Sequence, residues 1–197
     1  QWLDLRDPEF VRRHPQSLLL SGVIHYAQDR YDEALPFLYR YVEIVPNHAG
    51  ARKLLGSILL KHGDPRGAIP SLEIAAKAAP DEIEILTLLG NAYSQVRDYN
   101  SATATYEKAI QLTPKRAALH TQLAMTRIAA GQNSKAITDL ETAFGLEGAD
   151  GQAGPLLALV HLQRGDYESV HTTAARLIAQ DPRNPVPHNF NGAAYMR

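Results

Sequence analysis

Residues 86–114 carry the pattern Leu86-x-x-Leu89-Gly90-x-x-Tyr93, then Ala102-x-x-x-Tyr106-x-x-Ala109, then Pro114. Spacings of three and four place each set on one stripe of a helix. The stretch therefore predicts two amphipathic helices folded back on each other as a hairpin. Gly90 and Ala102 are small where the two backbones must approach closely, and Tyr93 and Tyr106 are placed to fill the space between neighbouring hairpins. Asp98 stands just before the second helix, where its carboxylate can accept from free N–H groups. Pro114 closes that helix, because proline disfavours helical backbone in the residue before it.

Outward from this hairpin the same register recurs. Pro46, Pro80, Pro114, Gly148 and Pro182 are spaced 34 residues apart. Ten residues after each comes a small residue (Gly56, Gly90, Ala124, Ala158, Gly192), and twelve beyond that come Ala68, Ala102, Ala136 and, less ideally, Val170. Asp64 and Asp166 repeat the role of Asp98, and Pro65 sits at a first helical position, where its missing N–H costs nothing. A fixed period of this length is the mark of stacked supersecondary units.

These residues resemble the tetratricopeptide repeat. The resemblance implies an all-α, right-handed superhelical solenoid of antiparallel helix pairs. Five units follow, at 15–48, 49–82, 83–116, 117–150 and 151–184, with 185–197 as the first helix of a truncated sixth. Residues 1–14 fit the register poorly, since Asp7-Pro8 resembles a closing turn four residues early, and they read as the end of a preceding irregular repeat. Pro36 and Pro70 fall inside second helices, where each removes a backbone bond and favours a bend. The run Gly148-Ala149-Asp150-Gly151-Gln152-Ala153-Gly154-Pro155 replaces a tight turn and should delay the next helix; a hinge and a sequence-tolerant turn are equally compatible with it.

Composition bounds the function. Lys and Arg number 20 against 21 Asp and Glu, a net charge of −1, so no dominant cationic surface draws nucleic acid or anionic lipid. The absence of cysteine removes disulfides, thiol nucleophiles and thiolate metal sites, and suits cytosol and periplasm equally. No apolar run approaches the roughly 20 residues of a membrane span. The chain opens at Gln1 without an initiator Met and stops at Arg197 within a pattern, as a fragment of a longer protein would.

The same sequence offers little to catalysis. His25 and His161 take the place of Tyr93 in the register, and His120 and His188 that of Leu86, all packing positions. No two histidines stand three or four apart on a helix, and there is no His-Glu-x-x-His stretch. The glycine-rich 148–154 run lacks the Gly-Lys-Ser/Thr ending of a phosphate loop. Carboxylate pairs such as Asp32-Glu33 and Asp81-Glu82 sit at helix starts, where the dipole favours them. The expectation is a non-catalytic protein without metal or cofactor, whose partner is a protein or peptide.

In the resembling family the partner lies along the concave face, on the first helix of each unit. Carried onto this chain, the groove positions are Tyr26 with Leu19 and Val23, Lys53 and Ser57 with Leu60, and Thr87, Asn91 and Ser94. Further along come Thr121, Gln122 and Met125, then Leu156 and Leu159, then Asn189. The lysine and arginine cluster that clamps a C-terminal carboxylate in one branch of the family is missing: Lys53 stands alone and Glu84 adds a negative charge. The groove thus reads as polar and uncharged in its middle, with Asn91 as a backbone-binding amide, and apolar toward its ends.

The strings Leu54–Leu60, Leu86–Tyr93 and Leu156–Tyr167 are similar to the repeat lipoproteins of bacterial exopolysaccharide and PEP-CTERM sorting systems. That resemblance implies a periplasmic or outer-membrane-associated scaffold in polysaccharide assembly, export or protein sorting. Two alternatives remain beside it: the regulatory arm of a larger enzyme such as a glycosyltransferase, and self-association through apolar helix faces left at truncated ends.

Overall fold

The computed structural model describes residues 8–146 and 151–196, and the described residues are helical throughout apart from their turns. They divide into two compact units, 1–105 and 106–197.

In the first unit a short α1 (Pro8–Arg13) precedes α2 (Gln16–Ala27), α3 (Tyr31–Ile44), α4 (Ala49–Lys61), α5 (Pro65–Ala78) and α6 (Ile83–Gln95). α7 (Tyr99–Leu112) runs across the division. The second unit continues with α8 (Ala117–Ala129), α9 (Asn133–Leu146), α10 (Ala153–Arg164), α11 (Tyr167–Gln180) and α12 (Pro185–Tyr195). The helices pair as the register predicts: α2 with α3, α4 with α5, α8 with α9, and α10 with α11. Residues 1–7, within the segment predicted to end a preceding repeat, lie outside the described residues, as do 147–150, which include the start of the glycine-rich run. α10 begins at Ala153, two residues later than α8 would set by the 34-residue period, which is the delayed start the run predicts.

Small residues sit where the helices of a pair cross. A methyl group added at Gly56 would come within 2.5 Å of Leu72 Cγ, and one at Gly22 within 2.8 Å of Leu38 Cδ2. Ala34, Ala68, Ala102 and Ala136 are completely buried opposite them. The core therefore forms as local clusters. Leu18, Tyr41, Val42 and Leu55 make one and Ala34, Leu38 and Ile58 another; Ala68, Leu72, Leu89 and Ala92 make a third, all in the first unit. The second unit buries Leu140, Phe144, Leu157, Val160 and Leu177 together.

The turns inside the pairs share one device that the proline and aspartate spacing does not reveal. Asp29, Gly63, Arg97, Gly131 and Gly165 all take left-handed backbone, with φ between 57° and 74°, and they too are 34 residues apart. Asp64, Asp98 and Asp166 then cap α5, α7 and α11 by accepting from the N–H groups of Gly67, Ser101 and Ser169 at 2.8, 3.1 and 3.2 Å. Pro36 and Pro70 lie within α3 and α5 on the exposed side. Water can satisfy the carbonyls they leave free there, so both helices run through them.

Candidate functional site

The predicted groove residues separate into two sets, one in each unit. In the first, Tyr26 at the end of α2 reaches Ser57 on α4, Oη to Oγ at 3.0 Å, and its ring meets Tyr31 edge-on at 5.5 Å. Ser57 is itself buried, so its hydroxyl serves the α2–α4 contact. Thr87 donates to the Ile83 carbonyl of its own helix at 2.7 Å. Asn91 and Ser94, half-buried on α6, complete the polar strip.

Lys53, the one cation among the predicted groove positions, is engaged within the chain: its Nζ donates to Glu82 Oε1 at 2.6 Å and Glu84 Oε2 at 2.7 Å. Partial burial works against its charge, but the two carboxylates more than offset this and hold its pKa above the ordinary lysine value. Glu84, read from the sequence as a charge opposed to anion binding, is one jaw of a clamp on the lysine. With both acceptors in place, Lys53 has little charge left to offer a ligand's carboxylate.

The second unit gives a different surface. Thr121 is buried and bonded to the Ala117 carbonyl at 3.2 Å, and Gln122 is half-buried. Met125 on α8 and Leu159 on α10, however, are 46% and 41% exposed. They face a cleft of about 210 Å³ whose floor and walls are Ile128, Leu156 and Val160, with Gln163 at the rim. Large apolar side chains left this exposed around a cleft are what a binding surface presents. Ile128, Val160 and Gln163 escape the sequence reading, although the i, i+4 spacing of Leu156 to Val160 and Leu159 to Gln163 is visible in it. Asn189 on α12 is exposed and lies outside this cleft.

Of the four histidines predicted to pack, three do so. His120 Nε2 lies 2.9 Å from the Pro114 carbonyl, His161 Nδ1 lies 3.1 Å from Asp166, and His25 stacks on Phe37. His188, predicted to pack, is exposed; α12 buries Pro187 beside it, and Ala194. Among the described residues no group of three or more His, Asp or Glu could hold a metal ion, and no helix is long and apolar enough to cross a membrane.

The sequence profile of the tetratricopeptide repeat matches residues 25–92 and 59–125, together just over half of the chain. The chain belongs to the tetratricopeptide-repeat family. Among curated proteins it is 26% identical over 122 residues to anaphase-promoting complex subunit 3 of Schizosaccharomyces pombe, covering 62% of this chain and 18% of that protein. The chain spans less than a fifth of the curated relatives it matches. Among solved structures, the tetratricopeptide-repeat array is similar to MamA, with a TM-score of 0.79 at 20% identity over 85% of this chain and 92% of that one. It is also similar to YrrB, a repeat protein described as having an unusual peptide-binding site, with a TM-score of 0.73 at 14% identity over 85% and 87% of the two chains. At these identities the likeness is one of fold, and the fold is the one protein-interaction scaffolds use.

Proposed function

We propose that this tetratricopeptide-repeat chain is a non-catalytic scaffold that holds a peptide or partner protein against its first helices, anchored in the cleft between α8 and α10. The observation that carries the reading is the exposure of Met125 and Leu159 across that cleft. An apolar side chain entering it would remove the exposed remainder of two large hydrophobic residues from water, roughly 1 kcal/mol for each. The polar strip of the first unit fits an extended segment recognised through amides and hydroxyls, with Asn91 and Ser94 as its accessible members. Exopolysaccharide assembly or protein sorting, in the periplasm or at the outer membrane, is the pathway proposed from the sequence strings alone. Localising a fluorescent fusion of the full reading frame tests it, and a cytoplasmic signal would remove that pathway.

The test of the groove is a pair of variants, Met125→Glu and Leu159→Glu, assayed against a partner captured from the source cell by the unaltered chain. Both should lose binding by more than tenfold while circular dichroism keeps its helical signal, since nearly half of each side chain is already exposed to water. Retained binding in a folded double variant would move the site off this face.

A second reading, self-association, is favoured by α2. Leu20, Val23 and Ile24 are 57%, 40% and 46% exposed, whereas Ile58, one period after Ile24, is completely buried. Light scattering should show association growing with concentration and weakened by Ile24→Glu; a strictly monomeric chain would end this reading.

A further inference from the structure

The first helices carry few cations, and all but one are already held. Arg52 donates to the Pro46 carbonyl at 2.7 Å, Lys53 is clamped by Glu82 and Glu84, and Lys61 donates to Tyr31 at 2.9 Å. Arg127 bonds Asp139 at 2.5 Å and Glu107 at 2.6 Å. Arg164, the last residue of α10, is exposed and has no acceptor among the described residues. The nearest acid in sequence, Asp166, is engaged by the Ser169 N–H and by His161.

Arg164 also stands beside the apolar cleft. Gln163 lines both that cleft and a second opening of about 490 Å³, whose other walls include Arg164, Tyr167 and Ala193. An apolar pocket and an unpaired guanidinium thus meet at one residue. Among the described residues no carboxylate lines the apolar cleft, and Asp166, the acid nearest Arg164 in sequence, already accepts from Ser169 and pairs with His161.

We infer that the partner of this cleft is a polypeptide segment in which an apolar side chain has an acidic residue within two positions of it, the apolar group entering between Met125 and Leu159 and the carboxylate meeting Arg164. The inference rests on the groove reading above and adds the chemistry of the occupant. The guanidinium recognises a carboxylate through paired N–H donors, a geometry that lysine or glutamine does not reproduce. The exposed setting of Arg164 makes its contribution one of selectivity more than of affinity.

The experiment is a selection from a display library of short random peptides on the chain of residues 1–197, followed by fluorescence anisotropy of the most enriched peptide and of its Glu→Gln counterpart. Enrichment of Leu, Met or Phe with Asp or Glu close by is expected. Arg164→Gln should weaken the acidic peptide about threefold, leave the glutamine counterpart unchanged, and abolish the difference between them. High salt should do the same. Apolar enrichment without an acid, or an acid preference that survives Arg164→Gln, overturns the inference while leaving the groove reading standing. No enrichment, or enrichment unaffected by Met125→Glu, overturns both. Circular dichroism of Arg164→Gln checks that the exposed substitution has left the fold intact.

Discussion

Arg97 shows how a strict repeat sets single residues against their own preferences. The turn between first and second helices requires left-handed backbone, which glycine supplies at positions 63, 131 and 165, but Asp29 and Arg97 hold it with side chains attached. For a residue with a Cβ this conformation costs roughly 1–2 kcal/mol, and aspartate tolerates it better than arginine. Glycine loses more chain entropy on folding, about 0.5–1 kcal/mol, so Arg97→Gly should stabilise by the difference, about 0.5–1 kcal/mol, seen as a higher midpoint in urea. An unchanged or lower midpoint would mean that Arg97 makes a compensating contact. The 34-residue spacing of the glycines is present in the sequence, but two of five positions break it, and one of them, Arg97, gives no turn signal. The burial of Ser57 and Thr121 and the clamp on Lys53 were likewise illegible, because they depend on neighbours about 30 residues away or on small shifts around a helix axis.

At the scale of the helix, the legible features were those whose chemistry is local. Prolines after second helices, aspartates before them and small residues at crossings each act within a turn or a pair. Gly56 against Leu72 is the outcome of a spacing that sequence states directly. The caps carry a pH signature whose sign follows from their geometry. Hydrogen bonds from the Ser101 hydroxyl and N–H hold Asp98 below its ordinary pKa, and Ser169 does the same for Asp166 with help from His161. A carboxyl lowered in the folded state stabilises fully above its unfolded value, about 3.9, and loses that contribution as pH falls through the folded value. Asp98→Ala and Asp166→Ala should each cost about 1 kcal/mol near neutral pH. Melting curves from pH 7 to pH 3 should show the gap between each variant and the unaltered chain closing below about pH 4. A gap constant over that range would assign the loss to something other than the ionised cap.

For the whole molecule, the consequence of building a core from successive hairpins is that stability is local. The clusters around Leu18, Leu38 and Leu72 lie wholly within the first unit, and the cluster of Leu140, Phe144, Leu157 and Leu177 wholly within the second. In repeat arrays stability is a sum of unit and nearest-neighbour terms, so damage to one cluster need not spread through the chain. Leu157 is completely buried, and Leu157→Ala should remove roughly 2–5 kcal/mol from its surroundings. Amide hydrogen exchange of that variant should show protection falling across α8 to α11 while α3 to α6 keep theirs, because local opening reads the stability of each region separately. A uniform drop from α2 to α12 would mean that the chain unfolds as one cooperative body. The binding cleft would then draw its rigidity from all of it, and variants in the first unit would weaken a partner held by Met125 and Leu159.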